Sequence, residues 1–281
     1  MTRYFIIFLV TMLTSCAPKI GSNIIVKQNS LLNSETVLVL QKEDIFNNDG
    51  IEIGVLNSSD NGFSSNCSYE NIIAIFIAMA RTNGANIVKI SERKTPDVIS
   101  NCDRITATLF KVPDIKKHEV EIEWSKTRKL TWNDFKAKPE LSSKDGIAAT
   151  TYCGFGFETN KVTLFDKVKL KTRNVFECYR SWVRPESTSN SLVLEHEQLH
   201  FDLSEVYARL LRKKIDEKKY SSLSLVKNSN LVFKEVFSQF LRRQELYDIE
   251  TDHGRDLLKQ KMWQKTIENE LLELDNYNKI D

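Results

Sequence analysis

The stretch Leu194-Glu-His-Glu-Gln-Leu-His-Phe-Asp-Leu203 decides the fold of the C-terminal half. Four residues on an α-helix is a rotation of about 400°, so His196 and His200 lie about 40° apart on one face, one turn from each other. Leu192, Val193, Leu199, Leu203 and Val206 recur around them at helical spacing, an apolar stripe that predicts an amphipathic helix. Two imidazoles so placed can share a Zn²⁺ at about 2.0–2.1 Å each. Glu197 lies about 60° from His200, near enough to take a proton from a water polarised by the ion without ligating it. The chain has four histidines, so an H-E-x-x-H by chance is expected well under about one per cent of the time.

A catalytic zinc site needs a third protein ligand and an open fourth position. Asp202 and Glu205 sit about 240° and 180° round the helix from His196 and point away. The third ligand is therefore expected from the downstream helices, where His253 lies in Tyr247-Asp-Ile-Glu-Thr-Asp-His-Gly254. His253 is the expected ligand, with Glu250, Asp252 and Glu235 next in line. Tyr247, a turn or two before it, is the candidate to stabilise a developing oxyanion.

Outward from the motif, helical periodicity predicts helices over 191–217, 229–246 and 254–275. Upstream the pattern is strand-like at 120–124, 130–135, 148–157 and 161–170. Strands followed by helices read as an α+β domain over 119–281, with an antiparallel sheet and C-terminal helices. Trp124, Trp132, Trp182 and Trp263 read as core, and Arg209 to Lys219 as a solvated helix face. Val112 to His118 is charged and holds Pro113, which places a boundary there and makes His118 a solvated linker residue.

The preceding segment, 35–112, reads as a small α/β sandwich. Its strands are expected at 36–40, 51–56, 86–90 and 105–110. A nearly all-apolar helix over 69–81 is stopped at Asn83-Gly84 by a left-handed cap. Residues 16–34 read as a tether.

The N-terminus reads as an address. Arg3 and the apolar run Tyr4 to Leu13 have the form of a secretory signal; ten residues is about half of what a membrane-spanning helix needs. Leu13-Thr14-Ser15-Cys16 looks like the bacterial lipobox, so residues 1–15 are expected to be removed and Cys16 acylated. The chain is then a lipid-anchored lipoprotein facing the periplasm or the cell surface. Cys67, Cys102, Cys153 and Cys178 remain, an even number in a compartment that permits disulfides. Segment position favours Cys67–Cys102 and Cys153–Cys178. Forty Lys and Arg against 38 Asp and Glu give a net charge of +2 with no basic clustering, which argues against a nucleic-acid partner.

Two resemblances add to this reading. Cys67, Ala80, Gly84-Ala85-Asn86, Cys102 and Ala107 resemble small cysteine-bridged modules of bacterial envelope lipoproteins, some of them stress sensors. Leu130-Thr-Trp-Asn-Asp-Phe135, Ala148-Ala-Thr-Thr151, the H-E-x-x-H stretch with Tyr207-Ala-Arg209, Tyr247 to Gly254, and Gln260-x-x-Trp263 form a second set. Together they look like a bacterial family of predicted secreted zinc-dependent proteases, over about residues 119 to 275. That resemblance implies a zincin-type peptidase with His196 and His200 as zinc ligands, Glu197 as base, and a protein or peptide substrate. It also favours a role for Thr251-Asp-His-Gly254. The competing reading is a non-catalytic envelope lipoprotein, a sensor or binding module whose metal site is structural or vestigial.

Overall fold

The computed structural model describes residues 18–60, 64, 66–139, 147–159, 170–218 and 222–278. The signal-like segment and Cys16 lie outside these residues, as do 161–169 of the strand expected at 161–170. The chain divides into two compact units, Met1–His118 and Glu119–Asp281. Both helices and sheets are present, and the fold is α+β.

The first unit is one sheet under one helix. Strands β1 (Lys19–Ile24), β2 (Leu38–Leu40), β3 (Ile51–Ser59), β4 (Ile87–Lys94) and β5 (Arg104–Lys111) lie in the order β1-β3-β5-β4-β2. The β2–β4 pair is parallel and the other three pairs are antiparallel. Helix α1 (Tyr69–Thr82) starts on Ser68, whose side chain accepts from the amide of Asn71. It ends at Gly84, φ 76°, where Ala85 N donates to Ala80 O and Gly84 N to Arg81 O, a left-handed stop that suits a residue without Cβ. Ile72, Ile73, Phe76 and Ala80 face Ile53, Val88, Ile105 and Leu109 in the core. Cys67 and Cys102 form a disulfide that ties the entry of α1 to the entry of β5.

Two expectations for this unit are corrected. Part of the supposed tether is β1, an edge strand whose six residues pair with β3; it has no clear period because an edge strand this exposed carries little apolar alternation. His118 is buried, its Nε2 2.9 Å from Asp49 Oδ1 and its ring edge-on to Phe46. A charged sequence neighbourhood hid a histidine that the fold turns inward.

The second unit is built around α2 (Ser191–Glu217), with Asn190 accepting from Leu192 N at its start. On one side lies the antiparallel sheet β6 (Glu121–Glu123), β9 (Leu170–Glu177) and β8 (Cys153–Thr159), in the order β6-β9-β8. A short ladder joins β7 (Ala149–Thr150) to β10 (Trp182–Val183). Against α2 also pack α3 (Ser222–Thr251) and α4 (Leu257–Glu273). Leu199, Leu203, Val206 and Leu211 meet Phe155 from the sheet, Val232, Val236, Phe240 and Tyr247 from α3, and Trp263 and Ile267 from α4.

Residues 130–135, expected as a strand, instead turn through a 3₁₀ segment at Trp132–Asp134. There Asp134 accepts from the amide and hydroxyl of Thr131, a local competitor to strand pairing. Trp132 is half-buried, while Trp124, Trp182 and Trp263 are in the core. The basic stretch after α2's midpoint is not a solvated face throughout. Arg209 and Arg212 are buried and share Glu205 Oε1 at 3.2 and 3.0 Å, and Arg209 reaches Leu271 O while Arg212 reaches Tyr277 O. With α2 enclosed by sheet and helices, even its polar side becomes interior, and the charges are paired there.

Cys153 and Cys178 are not bonded to each other. In the β8–β9 register Cys153 stands opposite Phe176, which makes Cys178 a diagonal neighbour beyond the end of β9. Diagonal partners lie about 7–8 Å apart, whereas a disulfide needs Cα atoms roughly 4.4–6.8 Å apart. Cys153 Sγ instead lies 3.5 Å from His200 O.

Candidate metal centre

Helix α2 carries His196 and Glu197 as buried residues, with His200 nearly so. Helix α3 runs on to Thr251, five residues beyond the expected end at 246. That extension puts Gln244, Tyr247, Asp248 and Thr251 at i, i+3, i+4 and i+7, one helix face. Their side chains all engage α2 or the turn that follows α3.

Asp248 Oδ1 lies 3.1 Å from His196 Nε2 and 3.0 Å from His200 Nε2, and the two Nε2 atoms are 3.2 Å apart. Four ligands placed tetrahedrally at about 2.0–2.1 Å from a zinc ion are roughly 3.3 Å from one another. The three atoms thus form nearly the triangle that one ion would require. His196, His200 and Asp248 form a group that could hold a metal ion. The outer nitrogens are engaged as well: His196 Nδ1 lies 3.2 Å from Gln260 Oε1, and His200 Nδ1 is hydrogen-bonded to Gln244 Oε1.

The electrostatics are those of an anion held between two imidazoles. Burial raises the Asp248 carboxyl, but hydrogen bonds from His196 and His200 outweigh it and hold the group well below the usual carboxylate range. Burial disfavours a charged His200, yet the hydrogen bond and charge of Asp248, with smaller contributions from Glu197 and Gln244, push it up to about 9. Glu197 Oε2 is buried without a hydrogen-bond partner. Such an acceptor has a free-energy cost unless a ligand or water meets it.

Tyr247 is fully buried and stacked on His196, with ring centroids 4.7 Å apart. Its hydroxyl donates to Gln260 Oε1 at 2.9 Å, and burial raises its pKa. This places it beneath the imidazoles, where it supports them.

His253, the expected third ligand, is outside the group. Its side chain is 56% exposed and its Nδ1 is 3.8 Å from Asp248 Oδ1. The reason is the backbone: Asp252, His253 and Gly254 all have left-handed φ, at 50°, 54° and 80°. This turn faces His253 outward and brings Gly254 against His196. A Cβ at Gly254 would come 2.9 Å from His196 Cγ and 3.1 Å from Nδ1. Thr251 Oγ1 fastens the turn, donating to Tyr247 O at 2.7 Å and accepting from Gly254 N at 3.2 Å. The three acidic residues next in line are engaged elsewhere: Glu250 accepts from Trp263 Nε1, Asp252 pairs with Arg255, and Glu235 pairs with Lys214. Asp248 lies on the Gln244–Thr251 stripe of α3, a signal that only a helix running past 246 carries. The two glutamines had no signal of their own, although Gln260 lies in the Gln-x-x-Trp element.

No family model matches the chain, and no curated protein or solved structure matches it either. The site therefore has to be read from its own chemistry.

Proposed function

We propose that the second unit is a zinc-dependent peptidase, and that the protein acts from the surface of a bacterial membrane as a lipid-anchored lipoprotein. The observation that carries the reading is the pairing of the His196–His200–Asp248 triangle with a buried, unpartnered Glu197 oxygen one residue from the first ligand. Two imidazoles and one carboxylate are a donor set suited to Zn²⁺. The spacing and the engaged outer nitrogens fit that ion. Held there, it would supply a Lewis acid that polarises a peptide carbonyl and acidifies water.

The chain's own residues have the complementary tasks. Glu197 accepts the proton of the attacking water and returns it to the departing amine. Gln244 and Gln260 hold the ligand rings, Tyr247 supports His196, and the Thr251–Gly254 turn seats His196 from the other side. The resemblance to predicted secreted zinc proteases supports the same assignment of His196, Glu197 and His200. The same resemblance favours a protein or peptide substrate.

The test is Glu197→Gln, which keeps size and reach but cannot accept the proton. Zinc content and thermal stability stay near wild type, while hydrolysis of unfolded casein or envelope protein extract falls by at least about 10²-fold. A zinc-loaded wild type that cleaves none of these substrates, or a Glu197→Gln variant as active as wild type, refutes the peptidase reading. For the anchor, Cys16→Ser shifts the protein out of the membrane fraction or leaves it unprocessed. Normal processing with retained membrane binding refutes acylation at Cys16. Among the described residues no helix is long and apolar enough to cross a membrane.

A further inference from the structure

The outward-facing nitrogen of each candidate histidine ligand meets a glutamine, and the two glutamines come from different helices. We propose that Gln244 and Gln260 are positioning residues that orient the two imidazoles toward the ion, and that their neutral amides keep the ion less tightly held and more electrophilic than carboxylates would. The inference rests on the metal reading above and adds to it how the site is tuned.

A neutral imidazole offers its Nε2 lone pair only when its proton sits on Nδ1, and an acceptor at Nδ1 selects that tautomer. Gln260 Oε1 is such an acceptor for His196, and it takes a second hydrogen bond from the Tyr247 hydroxyl. Two donors on one oxygen fix which way the amide faces. The other end, Gln260 Nε2, is then left buried with no partner. A carboxylate at this position would receive the same two donors and leave no N–H orphaned. What the amide offers instead is the absence of charge.

Gln244 makes the same contact differently. Its Oε1 meets His200 Nδ1 while its Nε2 donates to His200 O at 3.1 Å, so one side chain grips both ring and backbone of the ligand. It too is an amide where a carboxylate would accept the ring N–H. Carboxylate partners raise the basicity of metal-bound imidazoles, and removing an outer partner typically weakens metal binding by about 10–100-fold. With amides the rings are fixed but donate less charge, so the ion keeps more of its own.

The test uses full-length Gln244→Glu, Gln244→Leu, Gln260→Glu and Gln260→Leu, with Zn²⁺ affinity measured by chelator competition and the visible spectrum of the Co²⁺ form recorded for each. The Leu variants lose about 10–100-fold in Zn²⁺ affinity. The Glu variants move the opposite way, binding Zn²⁺ more tightly, and their Co²⁺ bands shift from wild type. Leu variants that fold and bind Zn²⁺ like wild type would reduce the glutamines to packing residues and overturn the proposal. If a Leu variant does not fold, the Glu variant at that position decides, and unchanged or weaker binding overturns it. A wild-type chain that takes up no Zn²⁺ overturns the metal reading itself, which is a separate result from wild-type affinity in all four variants.

Discussion

Replacing Asp248 by Asn is the sharpest test of which residue completes the metal centre. The substitution keeps the volume and one oxygen but removes the carboxylate that lies 3.1 and 3.0 Å from the two Nε2 atoms. Changing a group that merely hydrogen-bonds a ligand costs about 10–100-fold in metal affinity. Loss of a charged ligand therefore costs at least about 100-fold, or about 2.8 kcal/mol at 1.4 kcal/mol per decade. His253→Ala, by contrast, leaves Zn²⁺ affinity within a few-fold of wild type, because its ring is exposed and outside the ligand triangle.

The metal-free protein offers a second readout. His200, ordinarily at 6.5, is raised to about 9, so its charged form stabilises the metal-free fold fully below about 6.5. That contribution is lost as pH rises through about 9. Metal needs the neutral ring, so Zn²⁺ uptake near neutral pH displaces about one proton from His200, and displaces none well above pH 9. In Asp248→Asn the NMR titration of His200 moves down from about 9, and the proton released on adding Zn²⁺ diminishes with it. Chelator competition, histidine titration and calorimetry in buffers of different ionisation enthalpy measure the three quantities. Full Zn²⁺ affinity in Asp248→Asn together with its loss in His253→Ala would refute the assignment and restore His253 as the ligand.

Three further outcomes follow from the packing within the two units. Gly254→Ala loses both stability and Zn²⁺ affinity, because its Cβ would press on the His196 ring and its φ is 80°; thermal melts with and without Zn²⁺ measure both, and wild-type values would remove Gly254 from the site's support. Native protein reacts poorly with Ellman's reagent at pH 8, because burial raises Cys153 and pushes Cys178 up to about 12. Unfolding without reductant releases two thiols apart from Cys16, and reduction of Cys67–Cys102 removes on the order of 2–4 kcal/mol of stability. Rapid native labelling of either thiol would contradict the packing described.

The parts of this molecule that were legible in sequence are those whose signal is local. The bounds of α2, the helix after Ser68 with its stop at Gly84, and the candidate ligand pair His196 and His200 all rest on spacing within a few turns. The third candidate ligand depended on where α3 ends, and helix ends are a weak sequence signal. A capped turn after Thr251 replaced the expected boundary, and with it Asp248 replaced His253. The Cys153–Cys178 expectation failed for a related reason, since strand register is a property of the pairing and cannot be read from one strand. Arg209 and Arg212 read as solvated because Glu205 alone is near them in sequence, while their carbonyl partners, Leu271 and Tyr277, come from a part of the chain some sixty residues on.

Those same arginine contacts bear on the order in which the chain becomes competent. A growing or threading chain that has emerged as far as Thr251 already possesses His196, His200 and Asp248. It still lacks Gln260 against His196, and it lacks the carbonyls of Leu271 and Tyr277 for two guanidinium groups. Within α2 both groups share only Glu205, so these buried charges are fully partnered only with the C-terminal segment in place. The C-terminal segment thus completes two things at once, the charge pairing inside α2 and the outer contact of His196.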